Sequence, residues 1–135
     1  MRISGKKFLP VAAIGLVTFG VVAPAFAEGS RTGTMTNWTD GDSSNSWADH
    51  NSDGATTSVL FYQGCKHDFD ARIRKENFTW DTTMASERIN CTSYNDAVVG
   101  GDYAADNYHF DVHESYTAAG MVIYPYLSGS YKITW

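Results

Sequence analysis

The stretch DFDARIRK, residues 68–75, alternates without a break: Phe69, Ala71 and Ile73 fall on one parity, and Asp68, Asp70, Arg72 and Arg74 on the other. Successive side chains of an extended chain point to opposite faces, so a period of two sorts apolar and charged groups onto the two sides of a β-strand. Working outward, TTSVLFYQGC sets Thr57, Val59, Phe61 and Cys65 on one parity and Leu60 and Tyr62 on the other. ERINCTSY gives Ile89 and Cys91 a shared face. NYHFDVHESY sets Tyr108, Phe110, Val112 and Tyr116 against His109, Asp111 and His113. SYKITW closes the chain with Tyr131, Ile133 and Trp135 on one side, and RTGTMTNW at residues 31–38 reads as a further strand. GMVIYPYL is apolar on both parities, and Pro125, which cannot donate to a ladder, confines it to an edge or a bend.

Polar clusters punctuate these runs: DGDSSNS, NSDG, YNDAVVGGD and LSGS read as turns. No long segment repeats apolar residues at helical spacing. The expected fold is therefore all-β, a small antiparallel β-sandwich of about six to seven short strands, with a small barrel as the alternative. Residues 39–54, TDGDSSNSWADHNSDG, form the one low-complexity polar stretch and read as a long loop or arm.

Residues 1–27 read as a cleaved secretory signal. Arg2, Lys6 and Lys7 precede an apolar run, which ends at Ala25-Phe26-Ala27. A basic start, an apolar middle and small residues at the cut are the marks of an export signal. The run is short of the roughly 20 residues a spanning helix needs. The remaining domain, residues 28–135, keeps seven basic against fifteen acidic residues, a net charge of −8. Such a surface repels phosphate backbones and anionic lipid heads, which argues against nucleic acid and against direct membrane binding. A released, extracellular, monomeric protein follows as the expectation. Its two cysteines, Cys65 and Cys91, have no zinc-type spacing and read as one disulfide between core-facing strand positions, as an oxidising compartment allows.

DHNSDG, residues 49–54, places Asp49, Asn51 and Asp53 at alternate positions before Gly54, as calcium loops begin. The twelfth position counted from Asp49 is Leu60, which has no carboxylate, so an EF-hand is excluded. A plain turn uses the same residue types and is the preferred reading. A weak calcium site, completed by Asp40 or Asp42 folding back, is the alternative, and no other cofactor is expected. HFDVH would project His109, Asp111 and His113 from one strand face, with the outer two about 13 Å apart, too far to share one ion. No G-x-S-x-G elbow is present, and both cysteines are assigned to the bridge, so catalysis is not expected.

Sixteen of the residues after position 27 are aromatic, and most of those at strand parity read as core. Trp38 and Trp47 flank the acidic stretch, and Tyr124 and Tyr126 bracket Pro125; these four are the candidate binding residues. The sequons at Asn37, Asn77 and Asn90 matter only on a eukaryotic export route, and the signal has a bacterial look. In format the chain is similar to many small exported proteins of Gram-positive bacteria. EGS at residues 28–30, NWTDGDSSNSW at 37–47 and the final ITW also resemble the lactococcin-type bacteriocins in layout. The greater length and the cysteine pair depart from that type, and no residue role is carried over. The expected function is a small secreted bacterial protein that binds an extracellular polysaccharide, cell wall or protein. A bacteriocin-like antimicrobial is the alternative.

Export predicts its own product. N-terminal sequencing of the secreted protein should begin at Glu28, the residue after the small-residue site. Secreted protein retaining Met1 would refute the assignment.

Overall fold

The computed structural model describes residues 29–50, 52–62, 65, 67–91, 95–116, 119–123 and 126–135. Residues 1–28, which include the segment expected to be a signal, Asn51 and Tyr124 lie outside them. Among the described residues nine strands run in chain order: β1 Ser30–Trp38, β2 Trp47–Asp49, β3 Ser58–Tyr62, β4 Asp68–Lys75, β5 Thr82–Ile89, β6 Asn95–Val99, β7 Asp106–Tyr116, β8 Val122–Ile123 and β9 Leu127–Thr134. They form two antiparallel sheets, ordered β1-β9-β3-β6 and β2-β7-β4-β5, with β8 added to β7. No helix is present among the described residues. The two separate sheets make the fold the expected β-sandwich rather than the small barrel that strand alternation also allowed.

DFDARIRK is β4 from first residue to last. Its Phe69, Ala71 and Ile73 are fully buried and meet Phe110 and Val112 of β7 on the same inner face. From the opposite sheet come Val59, Phe61, Val98, Tyr131 and Ile133. Phe61 stands edge-on to both Phe69 and Phe110, with ring centroids 5.1 and 5.4 Å apart, and Phe110 meets Tyr131 at 4.7 Å. Edge-to-face contact is the geometry that ring quadrupoles favour. Each such side chain contributes about 1.5–3 kcal/mol by leaving water.

Three turn assignments are corrected. YNDAVVGGD contains β6, whose Val98 is buried; LSGS opens β9, with Leu127 buried; and the polar stretch 39–54 contains β2. Residues 41–44 run on as a ladder along the same edge of β7, through Gly41 N to Val112 O, Val112 N to Asp42 O and Ser44 N to Phe110 O. Polar side chains hid this strand because its solvent face dominates its composition. Its backbone groups nevertheless complete the open edge of β7.

Parity also fails within a correctly read strand, β7. Phe69 pairs with Ser115 but Asp70 with His113, so Glu114 is an inserted residue, held at φ 55°. A bulge exchanges the two faces beyond it. Ser115 therefore points inward, and Tyr116, expected in the core, lies on the outer face. There its hydroxyl donates to Asp70 at 2.7 Å, and the Arg88 guanidinium stacks on its ring at 3.5 Å. The hydrogen bond to the Asp70 carboxylate pushes its phenol up to about 12.

Cys65 and Cys91 are joined, as expected. Both lie just outside strands rather than within them, partly buried against the core. The bridge links the β3–β4 connection, where the chain changes sheet, to the end of β5. Closing a span of 26 residues stabilises the fold by roughly 3–4 kcal/mol in the chain-entropy account.

Gly33 faces Tyr131 across β1 and β9, and a Cβ there would overlap the tyrosine ring. A glycine inside a strand weakens it unless something uses the vacated space, and here the ring does. Gly33→Ala should therefore cost about 1–3 kcal/mol in chemical denaturation. In a Tyr131→Leu background the same substitution should cost much less, a coupling that a double-mutant cycle would measure. Equal costs in both backgrounds would show that the ring is not the constraint.

Candidate functional site

Residues 76–81 close the β4–β5 hairpin at one end of the sandwich, beyond the pair Lys75–Thr82. Phe78 and Trp80 stand on this tip with relative exposures of 105% and 85%. No other large apolar side chain among the described residues is as exposed. Scattered single apolar residues on a surface are ordinary, so the two strongly exposed rings on one turn make it the candidate contact site rather than an ordinary surface.

The tip is braced rather than loose. The Asn77 side-chain amide donates to Trp80 O at 2.9 Å and to Thr82 Oγ1 at 2.9 Å, and the Asn77 backbone N–H donates to Asp81 Oδ1 at 3.2 Å. Arg74 Nη2 donates to Asp81 O at 2.7 Å, and Glu76 N to Asn107 O at 2.9 Å. Ser46 Oγ, from the segment leading into β2, reaches the Glu76 carboxylate. His109 stands between the Glu76 and Asp81 carboxylates, at 3.4 and 3.6 Å. Asparagine suits this role because its short amide bonds to nearby backbone and closes a turn on itself. Beside the tip, Lys75 Nζ meets Asp106 at 2.8 Å; that hydrogen bond raises the lysine and lowers the aspartate from their usual ranges.

The sequence-nominated aromatics are distributed otherwise. Trp47 is 1% exposed, stacked on Tyr108 and in contact with Trp135. It is a core residue, corrected from a binding candidate, because its polar neighbours belong to the strand that carries it inward. Trp38 is half-buried against Phe110 and Tyr131. Tyr126 is exposed, with Met121 and Val122 also exposed near it in the chain. They belong to the opposite end of the sandwich, since β8 pairs with Ser115 and Tyr116 whereas the hairpin tip adjoins Tyr108. The nominated aromatics therefore do not make one surface. Phe78 and Trp80 were missed because they fall between the strands, where parity says nothing. Two rings separated by one residue on a turn were the available signal.

The HFDVH side chains diverge. Asp111 accepts from Arg72 Nε and Nη2 at 2.8 Å each, and from Arg74 Nη1 at 3.3 Å; its hydrogen bond raises the Arg72 guanidinium further. His113 Nδ1 lies 3.2 Å from Asp40. The DHNSDG segment uses its oxygens on backbone: Asp53 accepts from Ala55 N at 2.7 Å, and Asp102 accepts from the Asp53 and Gly54 amides. Gly54 takes φ 87°, the left-handed conformation that such a turn requires. Asp49 is buried on β2 opposite Asp106. Asp40 and Asp42 sit at the other end of that run, beside Val112 to Glu114, so they do not fold back on Asp49 and Asp53. Among the described residues no three His, Cys, Asp or Glu side chains are grouped to hold a metal ion.

Asn77 is thus the keystone of the tip. Asn77→Ala should lower stability by about 1–2 kcal/mol and leave Phe78 and Trp80 in place but mobile. Amide exchange over residues 76–82 should quicken while that of β7 stays slow. Unchanged exchange at the tip would show that its other contacts suffice.

Compared with known proteins, the chain matches no family profile and no curated protein. Among solved structures it is similar to one titled "Structure of infectious bursal disease virus Gx strain", at 16% identity and a TM-score of 0.25. That match covers 93% of this chain but 38% of the other, and a likeness this slight carries no functional argument.

Proposed function

We propose that the protein is exported and acts outside the cell as a non-catalytic binding module whose contact residues are Phe78 and Trp80. The exposure of these two rings on a braced turn is the observation that carries this reading. A turn whose backbone is already held loses less entropy on binding than a mobile loop, so bracing favours affinity. Export is supported by the signal-like residues 1–27, and the Cys65–Cys91 disulfide is consistent with an oxidising compartment.

The sequence leaves three target classes open: a polysaccharide, a cell wall or an extracellular protein. A sugar site sets polar groups beside its ring to hold hydroxyls, whereas Asn77, Glu76 and Asp81 are engaged within the hairpin and its base. The tip therefore suits an apolar target better than a sugar. The same feature favours, as second reading, an antimicrobial type of action on neighbouring cells, whose surface includes an apolar layer.

The test compares the secreted protein with its Phe78→Ala/Trp80→Ala variant. Both side chains are in water, so the variant should unfold at an unchanged midpoint. Retention would be measured on purified cell wall, on immobilised culture-supernatant proteins and on lipid vesicles. The intact protein should be retained on at least one surface, and the variant at least tenfold less. Equal retention of the two proteins would overturn the reading.

A further inference from the structure

We infer that the outward face of the β1-β9-β3-β6 sheet binds an uncharged polysaccharide laid across its strands. This site is separate from the hairpin tip and does not rest on the reading of the tip.

The register builds the face. Ser30, Thr134 and Ser58 stand side by side across β1, β9 and β3, and Thr34, Ser130 and Tyr62 form a second such row. Thr32, Lys132 and Leu60 lie between the two rows, and Thr36 extends the β1 file. All take the parity opposite the buried Met35, Val59, Phe61, Tyr131 and Ile133. Neighbours on one face are about 4.8 Å apart across strands and about 6.6 Å apart along them. The face is therefore a regular grid of hydroxyls.

The fold does not use these hydroxyls. Those of Thr32, Thr34, Thr36, Ser130 and Thr134 have no hydrogen-bond partner among the described residues. The outer face of the other sheet is built differently. There Arg72 and Arg74 hold Asp111, Arg88 reaches Asp70, and the Tyr116 hydroxyl meets Asp70 and Glu114. Both faces meet the same water, so solubility does not account for the contrast. A free hydroxyl both donates and accepts, as each hydroxyl of a sugar does, so the two are matched with no charge to neutralise.

Charge narrows the ligand. Lys132 is the one charged side chain on the outward positions of these four strands, in a domain that carries fifteen acidic residues. A neutral polymer can cover this face without stripping water from a carboxylate. A single lysine is too little to hold a polyanion. The face also offers no tryptophan or arginine, the anchors on which protein interfaces depend. Leu60, Tyr62 and Val99 instead form an apolar border along β3 and β6. A sugar ring, with C–H groups on its faces and hydroxyls at its rim, fits a boundary between apolar and hydroxyl surface. Each hydrogen bond to an exposed hydroxyl adds little, so a repeating polymer suits an open sheet better than a single sugar.

Co-sedimentation with insoluble cellulose, chitin and starch granules tests this. The intact protein should sediment with at least one of the three, and equally at low and at high salt. Thr32→Val/Thr34→Val/Ser130→Ala removes three hydroxyls and should bind at least tenfold less, with its melting midpoint moved by no more than a few degrees. If that variant does not fold, Thr34→Glu, a single exposed change, should show the same loss. Thr34→Ser keeps the hydroxyl and should bind within about threefold of the intact protein. Phe78→Ala/Trp80→Ala should bind as the intact protein does. Failure to sediment with any of the three polymers would overturn the inference, as would equal binding by the hydroxyl-deleted variant or binding that high salt abolishes. Binding lost in the Phe78/Trp80 variant but kept in the hydroxyl-deleted one would place sugar recognition at the tip, and would overturn this site while supporting that one.

Discussion

The carboxylate of Asp111 is the point on which β7, β4 and the hairpin tip all depend. It is 8% exposed and lies opposite Arg72 in the β4–β7 register. Arg72 grips it in a two-pronged bond, and Arg74, two residues on along the same face, adds a third contact. A carboxylate taken this far from water is tolerable only when its lone pairs are occupied. The two arginines do so, and the planar fork of Arg72 matches both carboxylate oxygens at once. Sliding β4 by one residue would carry both arginines to the inner face and Phe69, Ala71 and Ile73 out into water. The ion cluster on one face and the aromatic core on the other thus enforce a single register.

Arg74 carries that constraint outward. Besides Asp111 it donates to the carbonyl of Asp81, at the base of the tip that bears Phe78 and Trp80. His109, one residue before Phe110 on β7, stands between Glu76 and Asp81. The segment leading into β2 supplies Ser46 to Glu76. Three separate stretches of chain therefore hold six residues in place. So much support for so short a turn is hard to explain by stability alone, because the turn's own rings bury nothing. That support for the turn is why the tip and not the Tyr126 end is proposed as the contact surface.

Local sequence made the strands legible where one face is buried and the other wet. β4 was readable to its last residue, and Val59, Phe61, Tyr131 and Ile133 fell on the expected parity. The same rule failed where its premise failed. The bulge at Glu114 reverses the faces beyond it and moves Tyr116 out of the core, and no neighbour of Glu114 in the sequence announces the insertion. β2 escaped notice because at an edge the backbone ladder, not side-chain pattern, makes the strand. Trp47 went with it, since a tryptophan among Asp, Ser and Asn looks like a surface residue until its partner Tyr108 is known.

The sequence by itself determined the fold class, the partner of each cysteine and the acidic character of the domain, because these follow from period, count and charge, which are local or additive quantities. Tertiary structure alone decided which aromatics are buried and which are offered to water. That choice depends on which strands become neighbours and where each hairpin ends relative to the core. Trp47 and Trp80 are the same residue type in similarly polar surroundings. One is packed against Tyr108 and Trp135, and the other stands beyond the last rung of its hairpin, where no second sheet extends to cover it.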